Sequence, residues 1–392
     1  MTRDRLGVSL IVLCGVFVLA APSPGAAQAP IRIGASSSMT GTDAIQGGYV
    51  RDGYLLCQKH VNESGGVLGR QVKFEIHDDA SDGKAAVRIY EKVITEDKVD
   101  AVMGPYGSPI TDLVADVTEK HRRLMVAPAA GTSSIWEKGR RYLVMVLSPL
   151  EAATEGTIDL AARNGVKTIA LIGTLARPAI VKGALATARK KGLEVVVHET
   201  YPAGTTDFGP LLTKVKAAKP DALVVGVPPA DAIAITRQLK ELDVNVKLYG
   251  ATPGGAYPDF VKTLGKAAEF VYAGSYWEPN LSYPGNREFV AAYQKEFGRI
   301  PASNAAAAYA ACQLFVDAVK RAGSLDSDRV REEILKLKTK TVFGDFAVDE
   351  RGYQIGHKAV TVQWQDGKSV LLWPDEVANG SAKFPTPAWS GR

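Results

Sequence analysis

The chain offers little metal or redox chemistry. Three cysteines and five histidines are scattered over 392 residues. None of their spacings resembles a zinc site, and no residue pattern calls for a cofactor. Charge of one sign is also lacking. Forty-seven Lys and Arg face 42 Asp and Glu, a formal net charge of +5, with no long basic block and no interleaved aromatic stripe. That balance argues against a nucleic-acid partner. Low-complexity tracts are absent, and beyond residue 21 no apolar run is long enough to span a bilayer.

What is present starts at the N-terminus. Arg3 and Arg5 precede an apolar run from Leu6 to Ala21, followed by small residues from Pro22 to Ala29. The run falls short of the roughly 20 residues a spanning helix needs, so the pattern predicts a secretory signal peptide over residues 1–27. A cut after Ala29 would leave Pro30 first, which favours the cut after Ala27. Leu13 is bulky where a small residue normally precedes a lipidated cysteine, so Cys14 does not suggest a lipoprotein. Beyond the leader only Cys57 and Cys312 remain. Both sit in helical patterns among small and apolar neighbours. Buried thiols are the plainer reading, and an exported compartment also permits a disulfide.

Strands and helices then alternate. Strand patterns at Ile31–Ala35, Val72–Ile76, Ala101–Met103 and Leu124–Val126 are interleaved with helices near Tyr49–Asn62, Ala85–Asp97 and Ile110–Lys120. A second series from about Pro149 repeats the order, with strands at 167–172, 194–198, 222–227, 246–250 and 270–273. Such βαβα order predicts parallel sheets covered by helices on both faces. Two sheets make two lobes, and the cleft between them is a preferred ligand site. A long alanine-rich helix is expected over about 304–322. Strands 358–365 and 368–373 flank Asp366-Gly367, a hairpin signal, and the residues after Asn379 read as a loose end.

The most informative stretch is Gly65–Ser134. Three apolar strands end there in loops of small or polar residues: His77–Asp82, Gly104–Pro109 and Ala127–Ser134. Ligands of open α/β sheets bind beyond the carboxyl ends of strands, where small residues let backbone N–H groups reach them. The stretch therefore reads as half of a binding cleft.

Taken in order, Gly65-Gly66-Val67-Leu68-Gly69-Arg70, Asp78–Asp82, Asp100–Gly104, Tyr201–Phe208 and Ala305–Tyr309 resemble type I periplasmic binding proteins of the leucine/isoleucine/valine-binding class, the substrate-binding components of ABC importers. The resemblance spans Ile31 to Trp373. It implies an α/β fold of two Rossmann-like lobes with parallel sheets, joined by a three-segment hinge. The expected division is 28–148 with 277–340 in lobe 1, and 149–276 with 341–392, hairpin included, in lobe 2. Crossings are expected near Ser148–Pro149, Ser275–Trp277 and Lys340–Phe343. The resemblance further implies a periplasmic, monomeric, non-enzymatic protein whose partners are a small organic acid or amino acid and a membrane permease.

In that family a ligand carboxylate is held by a hydroxyl and backbone amides of two first-lobe loops. The matching positions are Ser108 and the Ala129-Ala130-Gly131-Thr132 turn. Fixed donors without bulky side chains suit an anion. Ser108 equally suits capping of the following helix, and Thr132 suits a cap before Ser134. The acidic residue that pairs with a ligand ammonium in amino-acid binders is matched here by Thr252, which disfavours an α-amino acid. Arg177 is either a cleft cation or an exposed arginine. Tyr276 and Trp277 either stack on the ligand or pack the hinge. Gln46, in the first βα loop, and Asn304 match positions that contact ligand side chains, and Tyr106 stands at the rim. A ligand-sensing module is the alternative of another class. A hydrolase built on Ser108, His121 and Asp112 lacks a nucleophile elbow or an oriented triad.

Overall fold

The computed structural model describes Met1 and residues 28–392, so the predicted leader lies outside the described residues. The first sheet has five parallel strands in the order β2-β1-β3-β4-β5: β1 (Ile31–Ser37), β2 (Val72–Asp78), β3 (Ala101–Met103), β4 (Met125–Ala127) and β5 (Leu143–Met145). Helices α1 (Ala44–Glu63), α2 (Gly83–Thr95) and α3 (Ser108–Lys120) connect them. Asp82 starts α2 by accepting from the Ala85 amide at 2.8 Å, the expected way to satisfy a free N-terminal donor. α1 begins well before the predicted Tyr49 and takes in Gln46.

The second sheet has seven strands, β14-β13-β10-β9-β8-β6-β7. Its parallel part is β6 (Thr168–Thr174), β7 (Glu194–Tyr201), β8 (Ala222–Val227), β9 (Leu248–Pro253) and β10 (Tyr272–Ser275). Around it lie α4 (Glu155–Arg163), α5 (Pro178–Lys190), α6 (Gly209–Ala218), α7 (Pro229–Glu241) and α8 (Pro258–Leu264). The chain then contributes α9 (Asn286–Phe297), α10 (Ser303–Ala322) and α11 (Ser327–Lys336), followed by a two-stranded ribbon, β11 (Thr339–Thr341) with β12 (Gly344–Phe346). The predicted hairpin is β13 (Val360–Gln365) with β14 (Lys368–Trp373), added antiparallel to the edge of β10. Its turn residues Asp366 and Gly367 both have positive φ, as a tight hairpin of this kind requires.

α10 returns to the first lobe and packs on α1. A Cβ on Gly53 would lie 2.3 Å from the Ala305 carbonyl oxygen, so glycine facing alanine sets this close approach. The same pair of helices is joined by a Cys57–Cys312 disulfide. Of the two readings the sequence left open, the bridge is the one formed, because the tight crossing brings the Cα atoms to 6.3 Å, within bonding range.

Two further expectations are corrected. Residues 347–357 stay with the first sheet rather than joining lobe 2: Met145 N donates to Gly352 O at 2.8 Å, Gln354 Nε2 to Val146 O at 3.1 Å and Arg331 Nη2 to Glu350 O at 2.7 Å. We place the third crossing at about 357–359. The C-terminal tail is not loose. Trp389 is buried among the β8, β9 and α7 side chains and donates its indole N–H to Val244 O at 2.8 Å. Burying an aromatic of that size contributes on the order of 2–3 kcal/mol. Among the described residues no helix is long and apolar enough to cross a membrane.

Candidate functional site

The loops after β3 and β4 run side by side beyond their strands. Tyr106 pairs with Ala129 in a parallel bridge, and Gly107 N reaches Ala129 O at 3.3 Å. Gly107, at φ 88°, turns the chain into α3 where a side chain would be strained. Ser108 is thereby set as the first residue of α3, opposite the second loop. Its hydroxyl oxygen accepts from Gly131 N at 3.1 Å and Thr132 N at 3.2 Å. It therefore does not cap its own helix. With two amides on its lone pairs, its one proton is left to donate outward.

That outward side is a cavity of about 170 Å³ between the lobes. An apolar cavity of roughly 150 Å³ holds one benzene, so the space suits a single ring or a short branched chain. Its walls come from both lobes: Ile135 and Leu147 from the first, Leu150, Ala176, Pro178, Ile180 and Pro253 from the second, with the rings of Tyr106, Tyr257 and Tyr276. Seven predicted residues line it, namely Tyr106, Ser108, Ala129, Thr132, Arg177, Tyr276 and Asn304.

Arg177 is not an exposed arginine. It precedes α5 in the second lobe and crosses the cleft to donate to Asp43 Oδ1 at 2.9 Å and to the Tyr106 hydroxyl at 3.1 Å. Burial acts against its charge, but Tyr106 and Asp43 outweigh that and keep it firmly protonated. Burial pushes the Tyr106 phenol up to about 12, so it stays neutral. The Tyr257 hydroxyl donates to Asn304 Oδ1, and outside the cavity Tyr49 donates to Asp259 Oδ2 at 3.0 Å. Four hydrogen bonds thus span the lobes.

Asp112 is the one carboxylate among the lining residues. Burial would raise its pKa, but Lys138 and Arg140, at 2.7 and 2.6 Å, outweigh it and hold the group below its usual range. Its charge is already matched by two cations. His121 pairs instead with Glu91 at 2.7 Å, so Ser108, His121 and Asp112 form no catalytic relay. Among the described residues no acidic, His or Cys cluster is arranged to hold a metal ion.

Four predicted residues fall outside this cavity. Thr252 is fully buried and its Oγ1 accepts from Gly274 N at 2.9 Å, tying β9 to β10. Trp277 packs the hinge: its indole N–H donates to Asn286 Oδ1 at 3.0 Å and Val342 O at 2.8 Å, with Phe289 edge-on at 5.8 Å. Gln46 is buried in the first turn of α1. Ala130 is buried beneath its own turn. Tyr257 is the main residue the sequence reading missed. It lies just past the Gly254-Gly255 loop and carried no motif of its own.

A family profile described as periplasmic binding protein matches residues 30–369. The chain belongs to the periplasmic binding protein family. It is a substrate-binding protein of the ABC-transporter type, as the resemblance implied. A leucine-, isoleucine-, valine-, threonine- and alanine-binding protein of Pseudomonas aeruginosa is 26% identical over 336 residues, covering 82% of this chain and 86% of the relative. The solved solute-binding protein of an ABC transporter from Rhodopseudomonas palustris, in complex with 3,4-dihydroxybenzoic acid, is 26% identical with a TM-score of 0.80 over 90% of this chain and 98% of that one. LivJ of Streptococcus pneumoniae, with isoleucine, superimposes with a TM-score of 0.81 at 24% identity over 88% and 100% of the two chains; that likeness shows the shared fold. The named relatives thus include both an amino-acid-binding protein and one solved with an aromatic acid.

Proposed function

We propose that the protein is an exported, periplasmic and monomeric solute trap that closes its lobes on a small aromatic or other organic acid lacking an α-amine, and delivers it to the permease of an ABC importer. One observation carries the choice of ligand. The cleft offers a hydroxyl donor for a carboxylate, but its one lining carboxylate is already neutralised by Lys138 and Arg140. A bound ammonium would be buried without a partner, at a cost of several kcal/mol. In this reading Ser108, the Ala129–Thr132 turn and Arg177 face the acid end. Tyr106, Tyr257, Tyr276 and Asn304 enclose the body.

The dihydroxybenzoate complex of the R. palustris relative supports the proposal. The name of the P. aeruginosa relative supports the second reading, a branched-chain amino acid. A thermal-shift screen over benzoates, phenylpropanoids, aliphatic acids and amino acids separates them, since a ligand at 100 times its Kd stabilises by about 2.7 kcal/mol. Large shifts with aromatic acids and none with leucine are expected. The reverse pattern would replace the proposal with the amino-acid reading.

A further inference from the structure

A second, larger cavity lies on the hinge side of the molecule, behind the Tyr257–Asn304 contact. It encloses about 380 Å³, and both lobes and the hinge segment line it. Val290 and Ile300 come from the first lobe, Val261 and Trp364 from the second, and Trp277 and Glu278 from the hinge. The walls are mostly apolar. Asn280, Gln294 and Ser303 add polar side chains to the lining, and in one corner Ser275, Glu278 and Ser369 meet: Ser369 Oγ donates to Glu278 Oε2 at 2.8 Å. Glu278 is only 3% exposed, and among the described residues it forms no ion pair. Lys368, the one cationic side chain on the rim, is exposed and lies beyond ion-pair reach of that carboxylate.

We infer that this hinge cavity is a second ligand site, distinct from the cleft, and that it takes a small apolar amine whose ammonium pairs with Glu278. A buried carboxylate without a cation is unfavourable, and burial correspondingly pushes Glu278 up to about 7. An ammonium that brings its own apolar body supplies the missing charge and fills space that the protein leaves open. An acid is disfavoured here for the reason an amine is disfavoured in the cleft, so the two sites sort ligands by opposite charge. Because the cavity is lined by both lobes, its occupant holds them in the arrangement seen in this structure.

Titration calorimetry with phenethylamine on the whole exported chain at pH 8, where Glu278 is largely ionised, tests this. Saturable one-to-one binding is expected, weakened at least tenfold in Glu278→Gln. Val290→Trp, which fills the cavity without touching the cleft, is expected to abolish amine binding and to leave binding of the cleft acid unchanged. The neutral isostere 2-phenylethanol should bind at least tenfold more weakly than the amine. Absence of saturable amine binding to the wild-type protein overturns the inference. So does wild-type amine affinity in both variants, which would place the amine elsewhere. Either result leaves the reading of the cleft standing, because that reading is tested with acids.

Discussion

Replacing Ser108 with alanine removes two things at once, and the structure assigns a size to each. In the proposed function, the hydroxyl proton is the donor to the ligand carboxylate. Hydrogen bonds to charged groups contribute about 1.5–3 kcal/mol, so affinity should fall about 10- to 150-fold. The hydroxyl oxygen is also the acceptor for the Gly131 and Thr132 amides. An amide left without a partner in a buried site costs about 1–3 kcal/mol. Gly131 is buried and Thr132 only partly so, which puts the folding loss near the single-amide figure. A hydroxyl at the start of a helix, taken by itself, would be expected to cost little stability when removed. The contact between the two loops changes that expectation. Calorimetry with the tightest acid from the screen, together with urea unfolding, reads both quantities. Reduced stability with unchanged affinity would make Ser108 a loop brace only. Unchanged stability would refute the bond between the loops.

Three other perturbations follow. Arg177→Gln removes the charged link to Asp43 across the cleft mouth, so stopped-flow release of ligand should accelerate about tenfold; an unchanged rate would show that the contact does not retain ligand. Cys57→Ser with Cys312→Ser opens a bridge between residues 255 apart; a loss of about 2–5 kcal/mol in denaturant unfolding is expected, and equal stability would contradict the bridge. Glu278 has a folded pKa of about 7 against roughly 4.3 for a free carboxyl. The native state holds its proton longer than the unfolded state, so this group costs stability as pH rises from about 4 to 7, by up to about 4 kcal/mol above that window. Glu278→Gln should be more stable than wild type at pH 8 and not at pH 4; a difference that is the same at both pH values would refute the assignment.

Much of this was legible in the sequence because the signals were local. Every strand of the two sheets except β5, which was not predicted, coincides with a short strand pattern in the sequence, and Asp366-Gly367 supplies the positive φ values of a hairpin. The small-residue loops after β3 and β4 pointed to the cleft because small residues there leave backbone amides accessible, and residues of both loops line the cavity. The rest depended on contacts between distant segments. Thr252 and Trp277 matched positions in a loop and a hinge, yet one side chain is consumed by the neighbouring strand and the other by Asn286 and Val342. The third crossing moved because Gly352 and Gln354 pair with the edge of the first sheet, which no local pattern announces. Tyr257 and the docked Trp389 were hidden for the same reason. Arg177 was named, but only its reach to Asp43 and Tyr106 decided that it faces the cleft.

The most direct test of the central claim changes the ligand by one group. 3-Phenylpropanoate is phenylalanine without its α-amine, and 4-methylpentanoate is leucine without its α-amine. Calorimetry on these two pairs isolates the ammonium from ring, chain and carboxylate. With Asp112 already paired to Lys138 and Arg140, the amine-free member of each pair should bind at least tenfold more tightly. Tighter binding of leucine and phenylalanine than of their amine-free partners would contradict the account.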